Sequence, residues 1–192
     1  MISRRIFLTT AAAGLATPGL AIAQQRKKKE FKLEKQFKPK LVKVRPEFEP
    51  GTIHVELGRY FLYYVVEPER AIRYGVAIGE EGRNLRGSAV VGRKAEWPSW
   101  TPTANMIRRE PEVYSKWAGG LPGGPENPLG ARALYLYRGG SDTRYRIHGT
   151  PQPWTIGRSV SSGCIRMTNG AVVDLYERVA IGTTVTIHYP KT

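Results

Sequence analysis

The chain has 192 residues, 30 of them Lys or Arg against 16 Asp or Glu, for a formal charge of +14. That length allows one ordinary domain with tails, and 41% hydrophobic residues supply a core while excluding a polytopic membrane protein. The basic balance points to an anionic partner and does not choose among nucleic acid, a membrane surface and an acidic polymer.

The first segment, MISRRIFLTTAAAGLATPGLAIAQ, pairs Arg4 with Arg5, continues as a moderately apolar run from Ile6, and ends in Ala21-Ile22-Ala23 before Gln24. This is the layout of an export signal with a small-residue cleavage site. Its SRRIFL start resembles a twin-arginine signal, which directs folded cargo to the periplasm. Gly14, Pro18 and Gly19 interrupt the apolar run and argue against a membrane anchor. Residues 1–23 are therefore expected to be a signal peptide. Export leaves the one cysteine, Cys164, without an internal partner in an oxidising compartment. Such a thiol is either buried and inert or retained because it reacts.

Residues 24–50 carry ten basic and four acidic residues and no clear turn chemistry, the pattern of a basic linker or arm. An electrostatic tether to anionic cell-wall polymer or to a membrane is a second reading. Phe31, Leu33, Phe37, Leu41 and Val44 give parts of it the means to pack as an edge strand.

From Thr52 short apolar strands alternate with turns. TIHVEL places Ile53, Val55 and Leu57 on one face, RYFLYYVV is dense in aromatic and β-branched residues, and AIRYGVAIG follows. A long Pro- and Gly-rich stretch, AEWPSWTPTANMIRREPEVYSKWAGGLPGGPENPLG, has the length of a functional loop or lid. Strand patterns return at RALYLY (132–137), YRIHG (145–149) and TTVTIHY (183–189). One helix is predicted from Asn169 to Ala180, with Ala171, Val172, Leu175 and Val179 on one face, Thr168 or Asn169 as cap and Gly182 at its end. The pattern predicts a β-rich single domain, 51–190, built as a sandwich or partial barrel with one short helix.

The chemistry-bearing stretch is IHGTPQPWTIGRSVSSGCIRM, residues 147–167. A thiol becomes a useful nucleophile as its thiolate, and a histidine beside it can take the proton. His148 ends one strand, and the loop to Cys164 has the length to fold back beside it. Gly163, directly before the thiol, permits a tight turn that presents N–H groups to an oxyanion. Arg166 is either a carboxylate holder or a surface charge; Ser161, Ser162 and Trp154 are the other substrate-binding candidates. His54 and His188 alternate with apolar strand neighbours and read as structural. One cysteine and three scattered histidines give no zinc spacing, and the aromatics form no nucleic-acid recognition motif.

The same stretch resembles the signature of the L,D-transpeptidase catalytic domain, the YkuD or ErfK/YbiS/YcfS/YnhG family: a His-Gly, about fifteen residues, then Ser/Thr-His-Gly-Cys, an apolar residue and Asn or Arg. TIHVELGRYFLYYVV, TPTANMIRREP and NPLGARALYL resemble further segments of that family, so the likeness covers about residues 52–187. Ser162 stands where many members have histidine, and Asn105 where they have glycine. The resemblance implies a mainly β, sandwich-like fold of mixed sheets with a short helix after the cysteine. It implies that Cys164 attacks the carbonyl between diaminopimelate and D-Ala of a peptidoglycan stem peptide. His148 then serves as base and acid, the Gly149 carbonyl orients its ring, and the Gly163 and Cys164 N–H groups hold the oxyanion. An amine or water resolves the thioester, no cofactor or metal is required, and the protein is expected to be a monomer. The alternatives are an L,D-carboxypeptidase or other hydrolase, a non-catalytic peptidoglycan-binding relative, and a basic periplasmic binding protein with a buried cysteine.

Overall fold

The structure, a computed structural model, describes residues 31–190. The expected signal peptide at 1–23 and residues 24–30 of the arm lie outside the described residues. The strands in chain order are β1 (Lys40–Lys43), β2 (Ile53–Glu56), β3 (Phe61–Glu67), β4 (Arg70–Gly75), β5 (Ile78–Gly79) and β6 (Gly87–Glu96). Two short helices follow, α1 (Ala104–Arg109) and α2 (Pro111–Tyr114). Then come β7 (Arg132–Arg138), β8 (Ser141–His148), β9 (Ser159–Ser161), β10 (Ile165–Arg166), helix α3 (Asn169–Arg178) and β11 (Thr184–His188).

Nine strands form one mixed sheet in the order β1-β4-β3-β2-β11-β6-β7-β8-β10, and β5 pairs with β9 in a small parallel sheet. Within the large sheet β2–β11 and β8–β10 are the parallel pairs. Period-two alternation puts Ile53 and Val55 of β2, Val185 and Ile187 of β11, Ile147 of β8 and Ile165 of β10 into the core. Helix α3 closes that core with Ala171, Val172 and Leu175. Burying each of these valine, leucine and isoleucine side chains stabilises the fold by about 1.5–3 kcal/mol. The architecture is mainly β, as expected.

Helix α3 starts where predicted, with the Thr168 hydroxyl accepting from the Ala171 N–H at 3.3 Å. It ends at Arg178, two residues before the predicted end. Its last carbonyls have a dedicated donor: Lys94 of β6 reaches Tyr176 O at 2.6 Å and Val179 O at 2.7 Å.

Part of the segment read as linker or arm belongs to the sheet. Strand β1 pairs antiparallel with β4, Lys40 to Arg73 through Lys43 to Arg70. Its sequence is basic because it is an edge strand with Lys40, Leu41 and Lys43 exposed. Upstream, Phe37 covers the backbone of Gly75 and Gly157 so closely that neither site has room for a Cβ. The long lid stretch also carries more regular structure than predicted, namely α1 and α2. Thr103 caps α1 by accepting from Met106 N–H at 3.2 Å. Asn105 therefore sits in a helix, where a side chain is tolerated without a glycine conformation.

Candidate active site

The chain returns to β8 and β10 with a register that assembles the candidate residues. β10 runs parallel to β8, pairing Ile165 with Ile147 and Arg166 with His148. Because the two isoleucines point into the core, the alternation turns His148, Cys164 and Arg166 to the other face. All three line one cleft of about 350 Å³. The lid supplies its opposite wall through Trp100, Met106, Tyr114 and Trp117. Asn127, 1% exposed, holds that lid: its amide donates to Leu121 O and Pro122 O at 3.2 and 2.9 Å, and its oxygen accepts from Leu129 N–H at 2.9 Å.

His148 is 3% exposed, and its Nδ1 lies 2.5 Å from the Gly149 carbonyl. A carbonyl only accepts, so Nδ1 carries the proton and Nε2 presents its lone pair. Nε2 has no hydrogen-bond partner among the described residues. Burial, and next the Arg166 charge, push the ring down to about 3, so the imidazole is neutral at neutral pH. A Cβ has no room at Gly149, where the Asn169 side-chain oxygen and Ala131 N meet the backbone. That oxygen also accepts from Ala131 N–H at 3.0 Å, fixing the turn that follows the histidine.

Cys164 is half-buried, and burial pushes its thiol up. The Arg146 backbone N–H and the Arg146 and Arg166 charges pull the other way. The resting pair is thus a neutral thiol and a neutral imidazole, rather than a preformed ion pair. The sulfur lies 3.9 Å from Arg144 O. That contact depends on a bulge in β8, where the register with β7 shifts between Tyr135 and Tyr137 and Arg144 adopts a positive φ of 65°. Asp142 anchors the bulge by bridging both guanidinium nitrogens of Arg146 at 2.7 and 2.8 Å. Sequence reading missed Arg144, Arg146 and Asn127; an Asp four residues before an Arg was the one visible trace of the bulge.

The other candidates divide. Gly163 has φ +131° and lies against Arg83 O and the Tyr145 ring, where a Cβ has no room. Its N–H is directed to Ser161 Oγ at 3.1 Å, while that hydroxyl donates to Cys164 O at 2.6 Å. Gly163 N–H is thus engaged, whereas Cys164 N–H makes no hydrogen bond among the described residues. Ser161, 2% exposed, braces the loop and also lines the cleft. Ser162 lines the cleft. Trp154 does not line it and is 51% exposed. Arg166 makes no ion pair and no side-chain hydrogen bond among the described residues, an unsatisfied half-buried cation beside the thiol. Among those residues no three His, Cys, Asp or Glu side chains gather as a metal site.

Comparison with known proteins places this cleft in a family. Residues 50–187 match YkuD, the L,D-transpeptidase catalytic domain. The probable L,D-transpeptidase ErfK/SrfK of Escherichia coli is 35% identical over 147 residues, 75% of this chain and 46% of the relative. The probable L,D-transpeptidase YbiS of the same species is 34% identical over 145 residues, 71% of this chain and 45% of the relative. The chain thus spans about half the length of these curated relatives. A Brucella melitensis crystal structure described as a probable carnitine operon oxidoreductase is 48% identical, with TM-score 0.56 over 79% of this chain and 93% of that one. L,D-transpeptidase 3 of Mycobacterium tuberculosis shares the fold at 14% identity, with TM-score 0.53 over 78% of this chain and 61% of that one. The descriptions differ in the activity they name, but the match over 50–187 covers the cleft, the lid and every strand of the large sheet except β1 and the end of β11. The chain belongs to the L,D-transpeptidase catalytic domain (YkuD) family.

Proposed function

We propose that the protein is a cysteine-dependent L,D-transpeptidase that cuts the diaminopimelate–D-Ala bond of peptidoglycan stem tetrapeptides in the periplasm. The supporting observation is the pairing, in one cleft, of the sole cysteine with a histidine whose Nδ1 is tied to Gly149 O and whose Nε2 is bare. As Sγ attacks the scissile carbonyl carbon, its proton passes to His148 Nε2, and the carbonyl oxygen becomes an oxyanion facing the free Cys164 N–H. Collapse breaks the C–N bond, Nε2–H protonates the departing D-Ala amine, and a thioester remains. An acceptor amine then gives its proton to Nε2, attacks the thioester and restores the thiol. With a second stem peptide as acceptor the product is a 3-3 cross-link. Water as acceptor gives an L,D-carboxypeptidase.

Arg166 is the donor-carboxylate holder in this reading, because a planar guanidinium without a protein partner suits a bidentate carboxylate. The basic segment 24–50 adds affinity for anionic wall polymer, the chain acts as a monomer, and residues 1–23 direct twin-arginine export. Intact-mass measurement with a carbapenem tests the nucleophile: wild type is expected to gain one covalent adduct that Cys164→Ala lacks. An equal adduct on Cys164→Ala, or none on wild type, removes the reading.

A further inference from the structure

A second cavity, of about 510 Å³, opens where the segment after β1 crosses β2, β3 and the end of β11. Its lining is cationic, with Lys43, Arg45 and Arg59 against one carboxylate, Glu56. The side chains of Arg45 and Arg59 are 73% and 71% exposed; Arg45 meets Glu47 at 3.0 Å and Arg59 reaches Glu56 only at 4.0 Å. Both guanidinium groups therefore retain donors for a ligand. Phe48 adds an aromatic face, with the Arg45 guanidinium 5.2 Å from its ring centre, and Tyr63 donates its hydroxyl to Glu56 at 3.2 Å.

Two histidines on neighbouring parallel strands complete the cavity, and their hydrogen bonds fix where protons sit. Thr52 Oγ1 donates to Glu49 O at 2.6 Å, so toward His54 Nε2, 3.0 Å away, it acts as acceptor. His54 Nε2 therefore carries a hydrogen and Nδ1 is bare. His54 Nδ1 lies 3.0 Å from His188 Nε2, which must be the donor. His188 Nδ1 is then the one ring nitrogen of the pair with nothing attached. Burial, and next the charge on His188, hold His54 down to about 4, so that ring is neutral at neutral pH. The other charged and titratable groups of the cavity are Lys43 of β1, Arg45, Glu56 of β2, Arg59, Tyr63 of β3 and Tyr189, with Arg86 5.0 Å from the Tyr189 ring.

We propose that this cavity binds a glycerol-type phosphodiester through Lys43, Arg45 and Arg59. The three cations come from β1, the turn after it and the turn after β2. A tetrahedral phosphate answers such a spread with oxygens in several directions, whereas a planar carboxylate offers two in one plane. The volume exceeds a bare phosphate and leaves room for the polyol beside Phe48 and Tyr63. Either an anionic lipid headgroup or a soluble or polymeric glycerol phosphate presents this chemistry.

The test is calorimetric titration of the full chain with glycerophosphoglycerol, which carries a single negative charge. One-to-one, saturable binding is expected at neutral pH. Arg45→Gln and Arg59→Gln should each weaken it by about fivefold or more. Melting temperatures should confirm that each variant is folded. Retention by phosphatidylglycerol vesicles but not phosphatidylcholine vesicles identifies a lipid headgroup as the source; binding of the soluble diester without vesicle retention identifies the soluble or polymeric one. No saturable binding, equal binding of N-acetylglutamate, or affinity indifferent to both arginine substitutions overturns the proposal. None of these readouts depends on Cys164 chemistry.

Discussion

His148 and His54 sit in strands of the same sheet, the first buried and the second half-buried, and are both held well below the ordinary imidazole value, about 3 and about 4. They differ in what is left unbonded. His54 gives Nε2–H to Thr52 and takes a hydrogen from His188 on Nδ1, so neither nitrogen is available for further chemistry. His148 commits Nδ1 to Gly149 O and leaves Nε2 open in the cleft that holds the thiol. Burial makes a histidine neutral, and only a free nitrogen beside an acid makes it a base. The bulged β8 sets its free nitrogen in the cleft of the thiol, whereas the one unbonded nitrogen of the β2–β11 pair, His188 Nδ1, belongs to a cavity without a cysteine.

Substituting the two histidines in parallel probes that contrast with the largest effect. His148→Gln should lower turnover of tetrapeptide muropeptides by about 10²–10⁴-fold, the usual contribution of a positioned base. His54→Gln should leave turnover unchanged within error, and comparable losses in both would erase the distinction. Next in size is Arg166→Lys. An ammonium cannot reproduce a bidentate contact, so kcat/KM for the donor peptide should fall by about tenfold or more while alkylation of Cys164 by a neutral reagent persists. Unchanged turnover returns Arg166 to the role of a cleft-edge charge.

Stability measurements sharpen the comparison further. Asn127→Ala leaves buried backbone groups of the lid without partners, at about 1–3 kcal/mol, and should lower the melting temperature and loosen the cleft wall. Acid stability follows from the direction of the His148 shift. Its folded value lies below its unfolded value, so the unfolded chain binds the extra proton first. Stability should be full above about pH 6.5 and decline as pH falls toward about 3, with a slope approaching about 1.4 kcal/mol per pH unit from this residue. Denaturation curves of wild type and His148→Gln across that window should diverge on the acid side, and parallel curves would mean that the imidazole is not held neutral by burial.

Much of the frame was legible in the sequence because it rests on period-two patterns. Ile53 and Val55, the RALYLY run and the TTVTIHY run each mark their strand, and α3 is marked by Ala171, Val172 and Leu175 with a threonine cap. The longest strand, β6, was not recognised. Its GSAVVGRKAE buries only Ala89 and Val91, and Gly92 interrupts it where the Tyr137 ring needs the space. Its Arg93 lies over Tyr135 and its Lys94 caps α3, contacts that no local pattern announces. The site divides the same way. Cys164, His148 and Gly163 are recorded in local spacing. Engagement of Gly163 N–H by Ser161, the β8 bulge at Arg144 and the solvent-facing placement of Trp154 arise from register and loop closure between distant segments. In the basic segment the lysines of an edge strand look like those of a linker, and Leu41 and Val44 were the trace of the strand that pairs with β4.

The most direct test of the central claim is the release of D-alanine from a purified tetrapeptide muropeptide by wild type and by Cys164→Ala at matched folded concentration. Wild type should release D-alanine with conversion of the donor to a 3-3 dimer or a tripeptide, and Cys164→Ala should release none, because no other thiol exists to form the acyl-enzyme. Equal release by the two proteins would contradict a Cys164 nucleophile and, with it, the role assigned to His148.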